Sequence, residues 1–155
     1  MTRVQNALNQ NALLLGLAGL LPQVAACTVA FTHTDFAMYA LVSGFAYSAL
    51  IFSFIGGVWW GQALVTPTKH AWIFFAAVCP SLISWFAALL LFSNLKWWPY
   101  AVGAISMGLL LSPLVDLQIG KALSQPQGWM KLRLTLSCGL GCLSLILATL
   151  TLHAV

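Results

Sequence analysis

The chain has 155 residues, 61% of them hydrophobic and 5% charged, against roughly 45–50% and 25% in a soluble domain. No soluble fold hides that much apolar surface, so lipid must be the main solvent, and the apolar stretches leave no room for a separate aqueous domain. The net charge of +4 is spread over singly placed basic residues, with no basic helix face and no patch interleaved with exposed aromatics, which argues against a nucleic-acid partner.

A membrane-crossing helix needs about 20 apolar residues, and five stretches reach that length. The first covers residues 11–31 and contains Pro22. Arg3, a leucine-rich run and then Val24-Ala25-Ala26-Cys27 imitate a lipoprotein signal. The apolar run continues past Cys27 to Phe31 and is interrupted at Pro22-Gln23, so a membrane helix is the expectation. The second stretch is unusually long, 36–64. The third, 71–92, has Pro80 near its middle; the fourth is 97–117 and the fifth 131–152. Pro99 falls in a first turn, where its missing N–H costs little. Pro22, Pro80 and Pro113 lie deeper and predict kinks or loosened turns. The connections are short, and only residues 118–130 could hold structure of their own, with a turn at Gln125-Pro126-Gln127-Gly128. A single membrane domain over residues 1–155, an all-α compact bundle of five transmembrane helices, is the predicted architecture.

Orientation follows from Lys and Arg. Arg3, Lys69, Lys121, Lys131 and Arg133 fall on the N-terminal side and only Lys96 on the other, which predicts a cytoplasmic N-terminus and a periplasmic C-terminus in a bacterial inner membrane. Trp59, Trp60, Trp97, Trp98 and Trp129 cluster near span ends, where interfacial anchors belong.

The densest pattern is in the second span. Ser53, Gly57 and Gly61 recur every four residues, a spacing that lets helix backbones approach closely. Ala104, Gly108 and Ser112 repeat the pattern in the fourth span, and Ala76, Ser84 and Ala88 flank Pro80 in the third. Packing inside one bundle is the first expectation, a self-dimer face or a narrow groove the second. If a ligand binds anywhere, the candidate groove is Tyr47, Ser48, Ser53, Gly56, Gly57, Gly61 and Pro80; Gln62 is the next polar residue.

Asp116 is the one acidic residue associated with a span, and Arg133 opens the next span on the same side. An interfacial ion pair clamping the last connection is expected, with a proton or cation mouth as the alternative. The histidines His33, His70 and His153 are not placed to face one another within a bundle, as a haem would require. Cys138 and Cys142, one helical turn apart, suit neither a relaxed disulfide nor a metal site and are expected to serve, with Cys27 and Cys79, as small packing residues. No metal site and no cofactor are predicted. Nor does the chain carry a phosphate-cradling glycine loop, a dinucleotide fingerprint or a His-Glu-x-x-His run. Paired carboxylates are also missing, and no enzyme is expected.

The run Tyr47-Ser-Ala-Leu-Ile-Phe-Ser-Phe-Ile-Gly-Gly-Val-Trp-Trp-Gly61 is distinctive. With Leu15-Gly-Leu-Ala-Gly-Leu-Leu-Pro22, Pro80-Ser81, Trp85, Trp129 and Leu132-Arg133 in order, it resembles the family of small bacterial and mitochondrial inner-membrane proteins of unknown function that includes transmembrane protein 69. The resemblance implies histidine in many relatives where this chain has Trp59. The resemblance implies a bundle of about five helices and supplies no activity. The leading expectation is a non-enzymatic assembly or accessory factor that partners the lipid bilayer and another inner-membrane complex, or itself. The alternatives are a small transporter or channel for a proton or weakly polar solute, and a quinone- or lipid-binding subunit.

Overall fold

In hydrocarbon a lone segment satisfies its own backbone groups only as a helix, and long leucine-, alanine- and phenylalanine-rich runs leave the chain no other choice. The computed structural model describes residues 10–32, 34–65, 71–122 and 128–151. They form α1 (Gln10–Ala18), α2 (Leu21–Thr32), α3 (Ala37–Val65), α4 (Trp72–Ser93), α5 (Trp98–Ala122) and α6 (Trp129–Thr151). Single 3₁₀ turns, Thr34–Phe36 and Leu95–Trp97, lead into α3 and α5, and there is no strand among the described residues. With α1 and α2 taken as one span, five helices are long and apolar enough to cross a membrane. This is the predicted all-α multi-pass bundle. Arg3, His33, Lys69, His70, His153 and the centre of the 125–128 turn lie outside the described residues.

The prolines act differently from one another. Pro22 does not kink a continuous first span. The chain makes a turn at Gly19–Leu20 and restarts as α2, so that Pro22 becomes a first-turn residue whose absent N–H has no helical partner to lose. Pro113 sits buried inside α5 and the helix runs on to Ala122. A proline cannot bond the carbonyl four residues back, here Leu109, and the Ser112 hydroxyl donates to that oxygen instead at 2.8 Å. α5 therefore takes up the first part of the connection expected from residue 118. Gly128, just before α6, has a φ of 86°, a left-handed conformation that glycine adopts without Cβ strain.

α3 is the hub, touching α2, α4, α5 and α6, while α5 and α6 form an antiparallel pair. Several helix crossings depend on glycine, two of them at the middle of α3. A Cβ on Gly56 would overlap the Ala77 carbonyl oxygen of α4, and one on Gly108 would overlap the ring of Phe52. The packing stripe of α3 is thus Phe52, Gly56, Trp59 and Ala63, all buried. A Cβ on Gly57 or Gly61 would meet nothing within 4 Å. These two glycines face outward with Ser53 half-buried beside them, so the expected packing at Gly57 and Gly61 is not within the bundle. The reason is geometric: neighbouring positions differ by about 100° around a helix, and only one register of the Gly56-Gly57 pair can point inward.

The tryptophan pairs split in the same way. Trp59 and Trp98 are buried, while Trp60 and Trp97 face outward, Trp60 edge-on to Phe74 with centroids 5.1 Å apart. Trp59 and Trp98 are therefore core residues rather than interfacial anchors. Cys79, Cys138 and Cys142 also face outward, and of the four cysteines only Cys27 is partly packed.

Candidate functional site

The strongest concentration of polar chemistry lies at the end of the bundle where α3 and α5 finish and α6 begins. Asp116 of α5 is fully buried. Its Oδ1 accepts from Trp59 Nε1 of α3 at 2.8 Å, and its Oδ2 from Arg133 Nε of α6, also at 2.8 Å. Trp59 and Asp116 each stand six residues from their helix ends and Arg133 four, about 6–9 Å of helix rise. The predicted pair of Asp116 and Arg133 is formed, but inside the bundle rather than at its rim. Arg133 is 8% exposed. A charge withdrawn from water this far needs its partner and further hydrogen bonds, and the indole N–H supplies one from a third helix.

Further along the same face of α6, at positions 137, 140 and 144, the polar contacts continue. Ser137 Oγ lies 3.1 Å from Ser112 Oγ. Ser144 Oγ lies 2.7 Å from Ser48 Oγ and donates to the Leu140 carbonyl at 2.8 Å. The buried amide of Gln23 closes this second node, Nε2 donating to Ser144 Oγ and Oε1 accepting from Ser48 Oγ, each at 3.3 Å. α2, α3 and α6 are thereby tied together at mid-bundle. Gln23 marks only an interruption of an apolar run when read in sequence, yet it is a fully buried residue here. The signal that could reveal it is a polar side chain in one span matched by hydroxyls in others.

The residues of the candidate groove do not converge on one cavity. The Tyr47 hydroxyl donates to the Gly19 carbonyl, at the break between α1 and α2. Ser48 belongs to the Gln23 node, Gly56 and Pro80 are buried at the α3–α4 crossing, and Ser53, Gly57 and Gly61 turn away from both. Ser84 donates to the Ala49 carbonyl at 3.1 Å, a second tie between α3 and α4.

One cavity does adjoin the carboxylate cluster. It measures about 230 Å³ and lies between α1, α3, α5 and α6, with Arg133 and Ser137 as its polar lining among leucines and isoleucines. Arg133 Nη2 is buried with no hydrogen-bond partner, and so is Trp129 Nε1 one turn earlier on α6.

The family model described as "Protein of unknown function (DUF3429)" matches residues 8–150. Transmembrane protein 69 of Xenopus tropicalis is 38% identical over 81 residues, 50% of this chain and 32% of the relative, so the match spans about a third of that protein's length. No solved structure matches.

Proposed function

This chain belongs to the DUF3429 family of proteins of unknown function, and from that premise we propose that it is a non-enzymatic accessory protein that holds or helps assemble another complex of the bacterial inner membrane. The observation behind this reading is the outward face of α3. Gly57 and Gly61 meet nothing within 4 Å, and Ser53 continues their stripe. Glycine inside a helix is disfavoured by about 1 kcal/mol relative to alanine, so two consecutive turns of it on an unpacked face make sense as a seat for a foreign helix, whose backbone can come close only where side chains are small. The N-terminus is assigned to the cytoplasm on five basic residues against one.

The transporter reading has less behind it. Tyr47 and Ser48 already spend their hydroxyls within the bundle, and both Asp116 oxygens are occupied.

Single cysteines at positions 57 and 61, in a chain whose own four cysteines are replaced, test the proposal by crosslinking in native membranes. Both should yield an adduct of one defined larger mass that copurifies in gentle detergent, whereas a cysteine at Phe86 on α4 should not. Recovery of free monomer alone would overturn it.

A further inference from the structure

We propose that the groove beside Arg133 is a site for one anionic phospholipid, with the phosphate on the guanidinium and an acyl chain running along α6. The site is built by the break at Gly19–Leu20. α1 has no buried residue and its main contact is α6, so a gap of about 230 Å³ opens between α1, α3, α5 and α6. Leu15 and Phe54 line that gap and are 74% and 67% exposed, which means that it opens sideways, toward lipid.

The polarity of the gap is graded as a lipid requires. Arg133 lies four residues into α6, and Leu140, also lining the gap, lies seven residues and about 10 Å deeper. Leu136 and Ile51 complete an apolar wall, and the hydroxyl of Ser137 is engaged with Ser112. The shallow end thus offers charge and the deep end offers hydrocarbon.

What the lining of the gap lacks at its shallow end is an acceptor for Arg133, since the unpartnered Gln62 Oε1 of α3, at the same end of the bundle, does not line the gap. A guanidinium has five N–H donors and no acceptor. Its Nε goes to Asp116, whereas the Nη2 group is buried and unpartnered on a side chain only 10% exposed. Trp129 Nε1, one turn toward the helix start, is a second buried donor without a partner. Two orphaned donors and no orphaned acceptor on this stretch of α6 call for a ligand rich in acceptor oxygens, and phosphate matches the guanidinium fork. Lys121 and Lys131 are exposed at the same end, so three cations stand against the single carboxylate of Asp116. A second lateral groove, about 260 Å³ between α4 and α5, is lined by Leu82, Ile83, Phe86, Ala87, Leu90 and Ala104. With no polar side chain it can take acyl chains of any lipid, and it serves as the internal contrast.

Native mass spectrometry of the full chain in mild detergent, with equimolar phosphatidylglycerol and phosphatidylcholine, tests the site. One phosphatidylglycerol should be retained per chain, preferred by about tenfold or more. Ile51→Trp, which fills the groove and leaves Arg133 in place, should lose that lipid while helical circular dichroism and the unfolding midpoint stay near wild type. Arg133→Lys keeps a cation for Asp116 but has no spare fork, and should lose most of the preference. Equal retention of the two lipids, undiminished retention by folded Ile51→Trp, or displacement by equimolar decylubiquinone, a neutral acceptor, would each overturn the assignment.

Discussion

Arg133 donates to Asp116 through Nε, 2.8 Å from Oδ2, while its Nη2 stays out of the pair. The bond carries the whole cost of two charges withdrawn from water, and what makes it tenable is the Trp59 indole on the other carboxylate oxygen. Removing one partner is therefore worse than removing all. Asp116→Leu alone strands a buried cation and should cost about 3–5 kcal/mol. The triple change Asp116→Leu/Arg133→Met/Trp59→Phe should recover most of that loss, because no polar atom of the cluster is then left behind. Reversible unfolding in mixed micelles measures both, and a triple variant no more stable than Asp116→Leu would contradict this account.

Trp59 can be tested separately. Trp59→Phe keeps the ring contact and deletes a hydrogen bond to a charged group, a loss of about 1.5–3 kcal/mol. Trp59→His retains an N–H donor and should fall between Phe and wild type in the same unfolding assay.

The two adjacent glycines of α3 should behave in opposite ways. Gly56→Ala drives a methyl into the Ala77 carbonyl and should destabilise the fold by about 1–3 kcal/mol, as overpacking does. Gly57→Ala meets open space and should stabilise the isolated chain by about 0.4–1 kcal/mol, the usual gain of alanine over glycine within a helix. If both cost the same, the assigned face of α3 is incorrect.

Tyr47→Phe removes the hydroxyl that holds the Gly19 carbonyl. The expected cost is modest, about 0.6–1.7 kcal/mol for a hydrogen bond within a membrane protein. Its location is the sharper readout: amide exchange should accelerate at residues 18–23 and remain unchanged in the Gln23 node of α3 and α6.

Much of this arrangement can be read in the sequence. Hydropathy alone places five spans, since the bilayer fixes their length, and the pairing of Asp116 with Arg133 follows from their being opposite charges near facing ends of consecutive helices. The break at Gly19–Leu20 is not legible there, because a proline can kink a helix or begin one, and only its neighbours decide. Trp59 reads like the interfacial tryptophans because position along a span gives depth, not azimuth. The same ambiguity makes Gly57 and Gly61 look like the bundle's packing face. Two glycines in succession supply both registers, and it is the bulk of Phe52 and Trp59 on the Gly56 side that selects one.

The buried pair also bears on how the chain enters the membrane. A lone aspartate or arginine costs an inserting helix up to about 2.5–3.5 kcal/mol at its centre, and α5 and α6 each carry one such residue, Asp116 and Arg133, toward one end. The segments are consecutive and antiparallel, and the two charges cancel only once the helices lie side by side. Entry of α5 and α6 into the bilayer as a paired hairpin would spare both helices that cost.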